Sequence, residues 1–383
     1  MLTKNNRRIF IVTDYLIDYR IDIFTDLSKH FDTTVFYRGI HEKLNVKVRK
    51  NWRYLKKFCK KLPKNKLLAL LTLSYHLIKC SNKAVIIFNN ALSYLVLAMI
   101  IVKMIRFRLV KTILWDESWF YPNGVRFKLF YPLHRLIVKV SDLIIVPGEL
   151  PKHFYLKLGA KVKNIRILPN ITKLSITENF ISAANCMRET LNLRNKIVLL
   201  YFGRLIPVKN VKSLIRTFIK SNLCNNNNMV LIIAGEGPDL KELKQEAKNC
   251  SNILFLNPVY DESKIIYYLL SDVVIIPSRK YKGRFDTWPL TSLEALMVGR
   301  PVVLSSHVGS AIDLKHLSDA VLIFDAEKED SLIDILKSLS YSQVVELLKS
   351  KAEAVKKLQL YQYHLKKLIS TLNKSFRNQH PID

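Results

Sequence analysis

A chain of 383 residues exceeds what one ordinary hydrophobic core organises and suits two domains. With 49% hydrophobic residues, only 10 glycines and no repeat beyond the short asparagine run at 225–228, it is neither disordered nor fibrous. The formal net charge of +30 is uneven: residues 43–115 carry 17 Lys and Arg and no Asp or Glu, so this half either attracts a polyanion, nucleic acid or anionic lipid, or is a lysine-rich solvated face.

The five cysteines, Cys59, Cys80, Cys186, Cys224 and Cys250, are odd in number, scattered and never in a C-x-x-C pair, which predicts reduced thiols rather than a disulfide frame or a zinc site. The start, MLTKNNRRIFIVTDYL, lacks the small-residue cleavage site of a signal peptide, so no export and a cytoplasmic location are expected. The longest apolar stretch, residues 91–102, has 12 residues against the roughly 20 that span a bilayer as a helix. Membrane contact, if any, is expected to be peripheral, on the inner face of the plasma membrane.

In chain order, residues 8–13 (RIFIVT) read as a strand, 22–29 as a helix and 33–37 (TTVFY) as a second strand. The pattern repeats: helical spacing at 67–79 leads to AVIIF at 84–88, 94–106 leads to KTILW at 111–115, and 126–140 leads to LIIV at 143–146. Strand signals stop over 172–195, which reads as an interdomain linker. A second series follows with KIVLLYF at 196–202, MVLIIA at 229–234, ILFL at 253–256, VVII at 273–276 and PVVL at 301–304. Alternation of this kind is the signature of parallel sheets covered by helices, so an α/β protein with two doubly wound Rossmann-like domains is predicted, at 1–185 and 186–350. The remaining tail, 351–383, is helical in spacing; it either finishes the second domain or crosses back to the first.

Two stretches carry chemistry. In YFGRLIPVKN (201–210) a strand ends, Gly203 permits a tight turn, and Arg204 and Lys209 bracket a loop before a helix. Two cations and a helix N-terminus suit a diphosphate, since Arg supplies a planar fork and Lys a point charge; alone, the pattern also describes a turn with solvated basic residues. In FDTWPLTSLEALMVGRP (285–301), Asp286 precedes a predicted helix and Glu294 lies within it, with Gly299 as its cap. A carboxylate can accept both hydroxyls of a ribose, although a loop cap and a solvated helix residue would give the same letters.

YFGRLIPVKNVKSLIRTF, then LIIAGEGPDLKELKQEA, the D-x7-E stretch and VVLSSHVGSAIDL, in this order and spacing, resemble the C-terminal domain of the retaining family 4 glycosyltransferases. The resemblance is strong over 197–313 and weaker at SDLIIVPGE and IRILPN. It implies a GT-B fold, two domains facing a central cleft, and a donor site in which Arg204 and Lys209 bind the diphosphate and Glu294 the ribose. Asp286 takes the place usually held by Glu and binds the transferred sugar. Gly235 and Gly237 supply the turn lining the nucleotide pocket. Where the family has Phe-Gly, this chain has Trp288 and Pro289, which removes one backbone donor and leaves the N–H groups of Leu290 and Thr291 for phosphate.

The first domain departs further from that family. The loop after its first strand, DYLIDYR (14–20), has no glycine, which removes the family's phosphate contact there unless Arg20, on the acceptor side, substitutes for it. Asp116 or Glu117 takes the place of a His near the sugar, or caps a loop or helix. His134 is expected to pack on an apolar face, and the nine histidines show no metal-ligand spacing. The resemblance implies retaining, metal-independent transfer of a hexose-type sugar from a nucleotide-diphosphate sugar, with no other cofactor, to a lipid-linked or cell-envelope saccharide acceptor. The partners expected are the donor, the acceptor and an anionic membrane, which the basic segment 43–66 and the apolar helix after it would dock. Another GT-B nucleotide-sugar enzyme, such as an epimerase, fits the D-x7-E and G-R-x4-K pair less well. A nucleic-acid-binding protein is disfavoured because no RNP, helix-turn-helix or zinc pattern is present.

Overall fold

A computed structural model describes residues 7–40, 52–79, 84–90, 93–106, 110–121, 124–170, 172–225, 228–259, 261–339, 341–349 and 361–377. The chain divides into two compact units, residues 1–173 with 361–383, and residues 174–360.

The first unit holds a seven-stranded sheet: β1 (Arg8–Leu16), β2 (Asp32–Ile40), β3 (Cys59–Lys61), β4 (Ala84–Asn89), β5 (Val110–Trp115), β6 (Leu143–Val146) and β7 (Ile165–Ile167). Their order is β3-β2-β1-β4-β5-β6-β7, every pairing parallel. β4 is buried at every position, as its near-continuous apolar run requires of a strand covered on both faces. One face packs under helices Lys66–Ile78, Leu97–Arg106 and Val125–Val140, through Leu73, Met99 and Val138. The other is covered by Asp18–His30 and by the C-terminal helix Tyr361–Arg377, which buries Leu365, Leu368, Leu372 and Phe376. Phe376 stacks on Phe31 with ring centroids 6.0 Å apart, and Arg7 Nη1 donates to Asn373 Oδ1 at 2.9 Å. The tail therefore completes the first unit's core, each buried apolar side chain contributing about 1.5–3 kcal/mol.

The second unit holds six parallel strands: β8 (Ile197–Phe202), β9 (Met229–Ala234), β10 (Ile253–Leu256), β11 (Val273–Ile276), β12 (Val302–Ser305) and β13 (Val321–Phe324), in the order β10-β9-β8-β11-β12-β13. Helix Glu178–Thr190 lies inside the stretch expected to be a linker. It buries Ala184 in this unit's core, and Arg188 is anchored to Asp272 at 2.9 Å. The boundary thus falls at 173/174 rather than 185/186, because the helix packs on the second core.

The expectation of reduced thiols fails at one pair. Cys224 and Cys250 form a disulfide, with Cα atoms 5.1 Å apart, joining the short turn before β9 to the segment before β10. Cys59 is buried and free, and Cys186 is exposed and free.

Candidate active site

Because all strands of a sheet are parallel, their carboxyl ends share one edge, and the order reverses between β8 and β11. Ligands of doubly wound sheets bind at such a switch point. The loops after β8, β9, β11 and β12 converge there.

The loop after β8 begins at Gly203, whose N–H donates to Ala234 O at 3.0 Å, and continues to Leu205, whose N–H donates to Glu236 O at 2.8 Å. This lays the β8 loop directly on the β9 loop. A Cβ at Gly235 would sit 1.9 Å from Gly203 O, and one at Gly237 would sit 2.0 Å from Leu205 O. Both glycines are therefore demanded by backbone contact between the two loops. Arg204 is exposed, while its carbonyl accepts from the Tyr201 hydroxyl at 2.6 Å. Burial, then Asp286, pushes that phenol well above its ordinary value, so it remains a neutral donor.

Lys209 ends a short turn, Pro207–Lys209, and Asn210 takes the left-handed conformation that passes the chain into helix Val211–Lys220. Lys209 Nζ reaches Asp286 Oδ2 at 2.5 Å, both side chains being mostly buried. Ser278 Oγ, just beyond β11, donates to the same oxygen at 2.7 Å. The Asp286 backbone bridges Val308 after β12, and Gly309 N donates to Asp286 O at 2.9 Å.

Helix Leu290–Met297 starts at Pro289, which has no N–H, and stops at Gly299, whose φ of 81° suits only glycine comfortably. Its first-turn N–H groups, including those of Leu290 and Thr291, lack intrahelical acceptors by geometry. The Thr291 hydroxyl donates to Phe202 O at 3.3 Å, fixing this helix end beside the end of β8. Glu294, three residues on from Thr291, is 3% exposed. Its Oε2 accepts from Tyr268 OH at 2.8 Å and its Oε1 pairs with Lys264. An ionised carboxylate offers about four acceptor positions, so these two partners orient it and leave capacity for hydroxyls. Burial and Glu294 raise the Tyr268 phenol well above its ordinary range, keeping it a donor.

The structure thus brings Gly203, Arg204, Lys209, Asp286, Leu290, Thr291 and Glu294 to one edge of the second sheet, with Gly235 and Gly237 beneath the loop that carries Arg204. Lys264, Tyr268 and Ser278 escaped the sequence reading. Lys264 and Tyr268 are four apart on one short helix, Lys264–Leu270, and that spacing of a cation and a hydroxyl among apolar residues was the available signal.

The first unit has its own polar cluster at the carboxyl ends of β1, β4 and β5. Arg20, 4% exposed, donates to Glu117 Oε1 at 2.9 Å, Asn89 Oδ1 at 3.1 Å and Tyr19 OH at 3.3 Å, and stacks on Trp115 at 4.5 Å. Burial alone would lower its pKa, but Tyr19 and Glu117 reverse that, so it stays charged. These contacts use three of its five N–H donors. Asp116 accepts from Ser118 N at 3.0 Å and Tyr155 OH at 2.6 Å, the geometry of a loop cap. His134 packs among Tyr121, Phe154 and Tyr155, with neither ring nitrogen hydrogen-bonded.

Of the basic segment 43–66, residues 43–51 lie outside the described residues. Lys56, Lys57, Lys60, Lys61 and Lys64 are exposed, and helix Lys66–Ile78 turns Leu67, Leu68, Leu71 and Tyr75 outward while burying Leu73 and Leu77. No helix among the described residues is long and apolar enough to cross a membrane.

Residues 185–358 match the family model of glycosyl transferases group 1. An uncharacterized glycosyltransferase of Methanocaldococcus jannaschii is 28% identical over 205 residues, 53% of this chain and 50% of that protein. The alpha-monoglucosyldiacylglycerol synthase of Streptococcus pneumoniae is 27% identical over 172 residues, 42% of this chain and 37% of that protein. The matched stretches thus span half or less of these relatives. Anabaena HepE, solved in complex with UDP, superposes with a TM-score of 0.74 at 14% identity, covering 96% of this chain and 100% of that one. That likeness extends over both units and is one of fold, GT-B.

Proposed function

We propose that this chain, whose residues 185–358 match the family model of glycosyl transferases group 1, transfers a hexose-type sugar from a nucleotide-diphosphate donor to a lipid-linked or saccharide acceptor with retention of configuration. The observation that carries this reading is the convergence of the Gly203–Arg204 turn, the Lys209–Asp286 pair and the start of helix Leu290–Met297 at the switch point of the second sheet. Each part has a task. Arg204 and Lys209 neutralise the departing diphosphate, and the N–H groups of Leu290 and Thr291 bind its oxygens; donors fixed before the charge develops need no reorganisation when it does. Glu294, held by Lys264 and Tyr268, accepts the ribose hydroxyls. Asp286, oriented by Lys209 and Ser278, accepts hydroxyls of the transferred sugar.

With cations in place, no divalent ion is required, and the acceptor attacks from the face the diphosphate leaves. A lipid acceptor is supported by the relative named for a glucosyldiacylglycerol and by the exposed lysines and leucines of residues 56–75. These features also favour a peripheral position on the inner leaflet. The test is a panel of nucleotide sugars: the true donor, at 100 times its dissociation constant, adds about 2.7 kcal/mol to folding stability. Its transfer product carries the donor's anomeric configuration and forms in excess EDTA. An inverted product, or activity lost to EDTA and restored by magnesium or manganese, contradicts the mechanism.

A further inference from the structure

The first unit contains a cavity of about 980 Å³ on the edge of its sheet opposite the Arg20–Glu117 cluster. It opens at the amino ends of β5, β6 and β7, and the C-terminal helix supplies one wall through Thr371, Lys374 and Ser375. Six cations line it: Lys103, Lys111, Lys139, Lys163, Arg166 and Lys374. The single carboxylate, Asp142, is shared between Lys103 and Lys111 and also accepts from Thr112 N at 2.8 Å. Those contacts outweigh its burial and hold its pKa below the usual value. Lys139, Lys163 and Lys374 have no carboxylate partner among the described residues.

The rim is apolar. Met104, 80% exposed, and Leu136 line the same cavity. From Leu136 the stripe runs along helix Val125–Val140 to Leu129, 75% exposed, and Val125, residues that share one face at this spacing. A soluble anion would use the cations and leave this stripe in water. An amphiphile uses both.

We propose that this cavity receives the phosphate headgroup of an anionic phospholipid, whose acyl chains lie against Met104, Leu129 and Leu136. Lys139, Lys163 and Lys374 meet the phosphate charge, each at a surface where such contacts attract anionic lipid. The C-terminal helix thus serves lipid binding as well as the core. The proposal concerns a site away from the transfer chemistry and goes beyond the reading of the second unit.

The experiment is co-sedimentation of the full chain with phosphatidylcholine vesicles, with and without phosphatidylglycerol. The triple variant Lys139→Ser, Lys163→Ser, Lys374→Ser binds the phosphatidylglycerol vesicles at least tenfold more weakly than wild type. Leu129→Ser with Leu136→Ser weakens binding at any salt concentration. A control triple in the second unit, Lys241→Ser, Lys244→Ser, Lys248→Ser, removes the same charge and retains binding. Nucleotide-sugar stabilisation of the cavity variant stays at the wild-type level, which separates this proposal from the transferase reading. The proposal is overturned if the cavity variant binds like wild type, or if the control triple loses as much. It is equally overturned if the Leu129→Ser, Leu136→Ser variant binds the phosphatidylglycerol vesicles like wild type, since the cavity would then be a soluble-anion site.

Discussion

Lys209 Nζ stands 2.5 Å from Asp286 Oδ2, across 77 positions of chain, and ties the loop after β8 to the segment after β11. The pair joins the residue read as a diphosphate ligand to the one read as a sugar ligand. On the proposed reading a donor meets both at once, and Ser278 Oγ holds the same carboxylate oxygen at 2.7 Å.

Lys209→Met should lower kcat/KM by about 10²–10³-fold, the loss typical of one preorganised donor at developing charge. Asp286→Asn should cost a similar factor, and the double variant little more than either alone, because the two act as a unit. Steady-state kinetics check this; losses that multiply would show two independent contacts.

Glu294→Gln keeps an acceptor for Tyr268 but turns an amide N–H toward Lys264, so it should raise the donor KM and lower stability by less than full truncation does. Glu294→Ala should destabilise the protein by about 1–3 kcal/mol, since Tyr268 and Lys264 lose their partner. Thermal unfolding beside donor titration separates the two effects.

Gly235→Ala places a methyl group 1.9 Å from Gly203 O, a backbone atom that cannot rotate away. The β8 and β9 loops must separate, costing about 1–3 kcal/mol and weakening donor binding through Arg204. Wild-type stability in this variant would show that the loops are less closely packed.

His134 bears on pH. Burial lowers its pKa from the ordinary 6.5, with Asp116 pulling the other way. The unfolded chain therefore takes up the proton first, and stability present above pH 6.5 declines as pH falls toward the lower folded value. His134→Phe should flatten the stability curve in that window, leaving the slope from His76 and His364, whose pKa values burial also lowers. An unchanged slope in denaturant titrations would remove His134 as its source.

The strands were readable wherever helices cover both faces of a sheet, since β8 and β9 are unbroken apolar runs and β4 departs from one only at Asn89. β3 was not, because CKK is a three-residue edge strand whose two lysines face solvent. Helix Glu178–Thr190 hid among polar residues, although Phe180, Ala184 and Met187 recur at helical spacing. The Cys224–Cys250 bond has no local signature, as pairing across 26 residues depends on where β9 and β10 lie. Arg204, Lys209, Asp286 and Glu294 were legible as chemistry in a recognisable order. Their supports were not: the four-residue spacing of Lys264 and Tyr268 marks a shared helix face without naming Glu294 as its partner, and nothing along the chain joins Ser278 to Asp286.

The most direct measurement is calorimetric titration of the donor's nucleoside diphosphate into wild type, Arg204→Ala and Lys209→Met. Saturable binding by wild type in EDTA, weakened at least tenfold in each variant with the unfolding transition preserved, is the predicted result. Equal affinity in all three proteins, or no binding by the wild type to any nucleoside diphosphate, would contradict a donor site at the carboxyl edge of the second sheet.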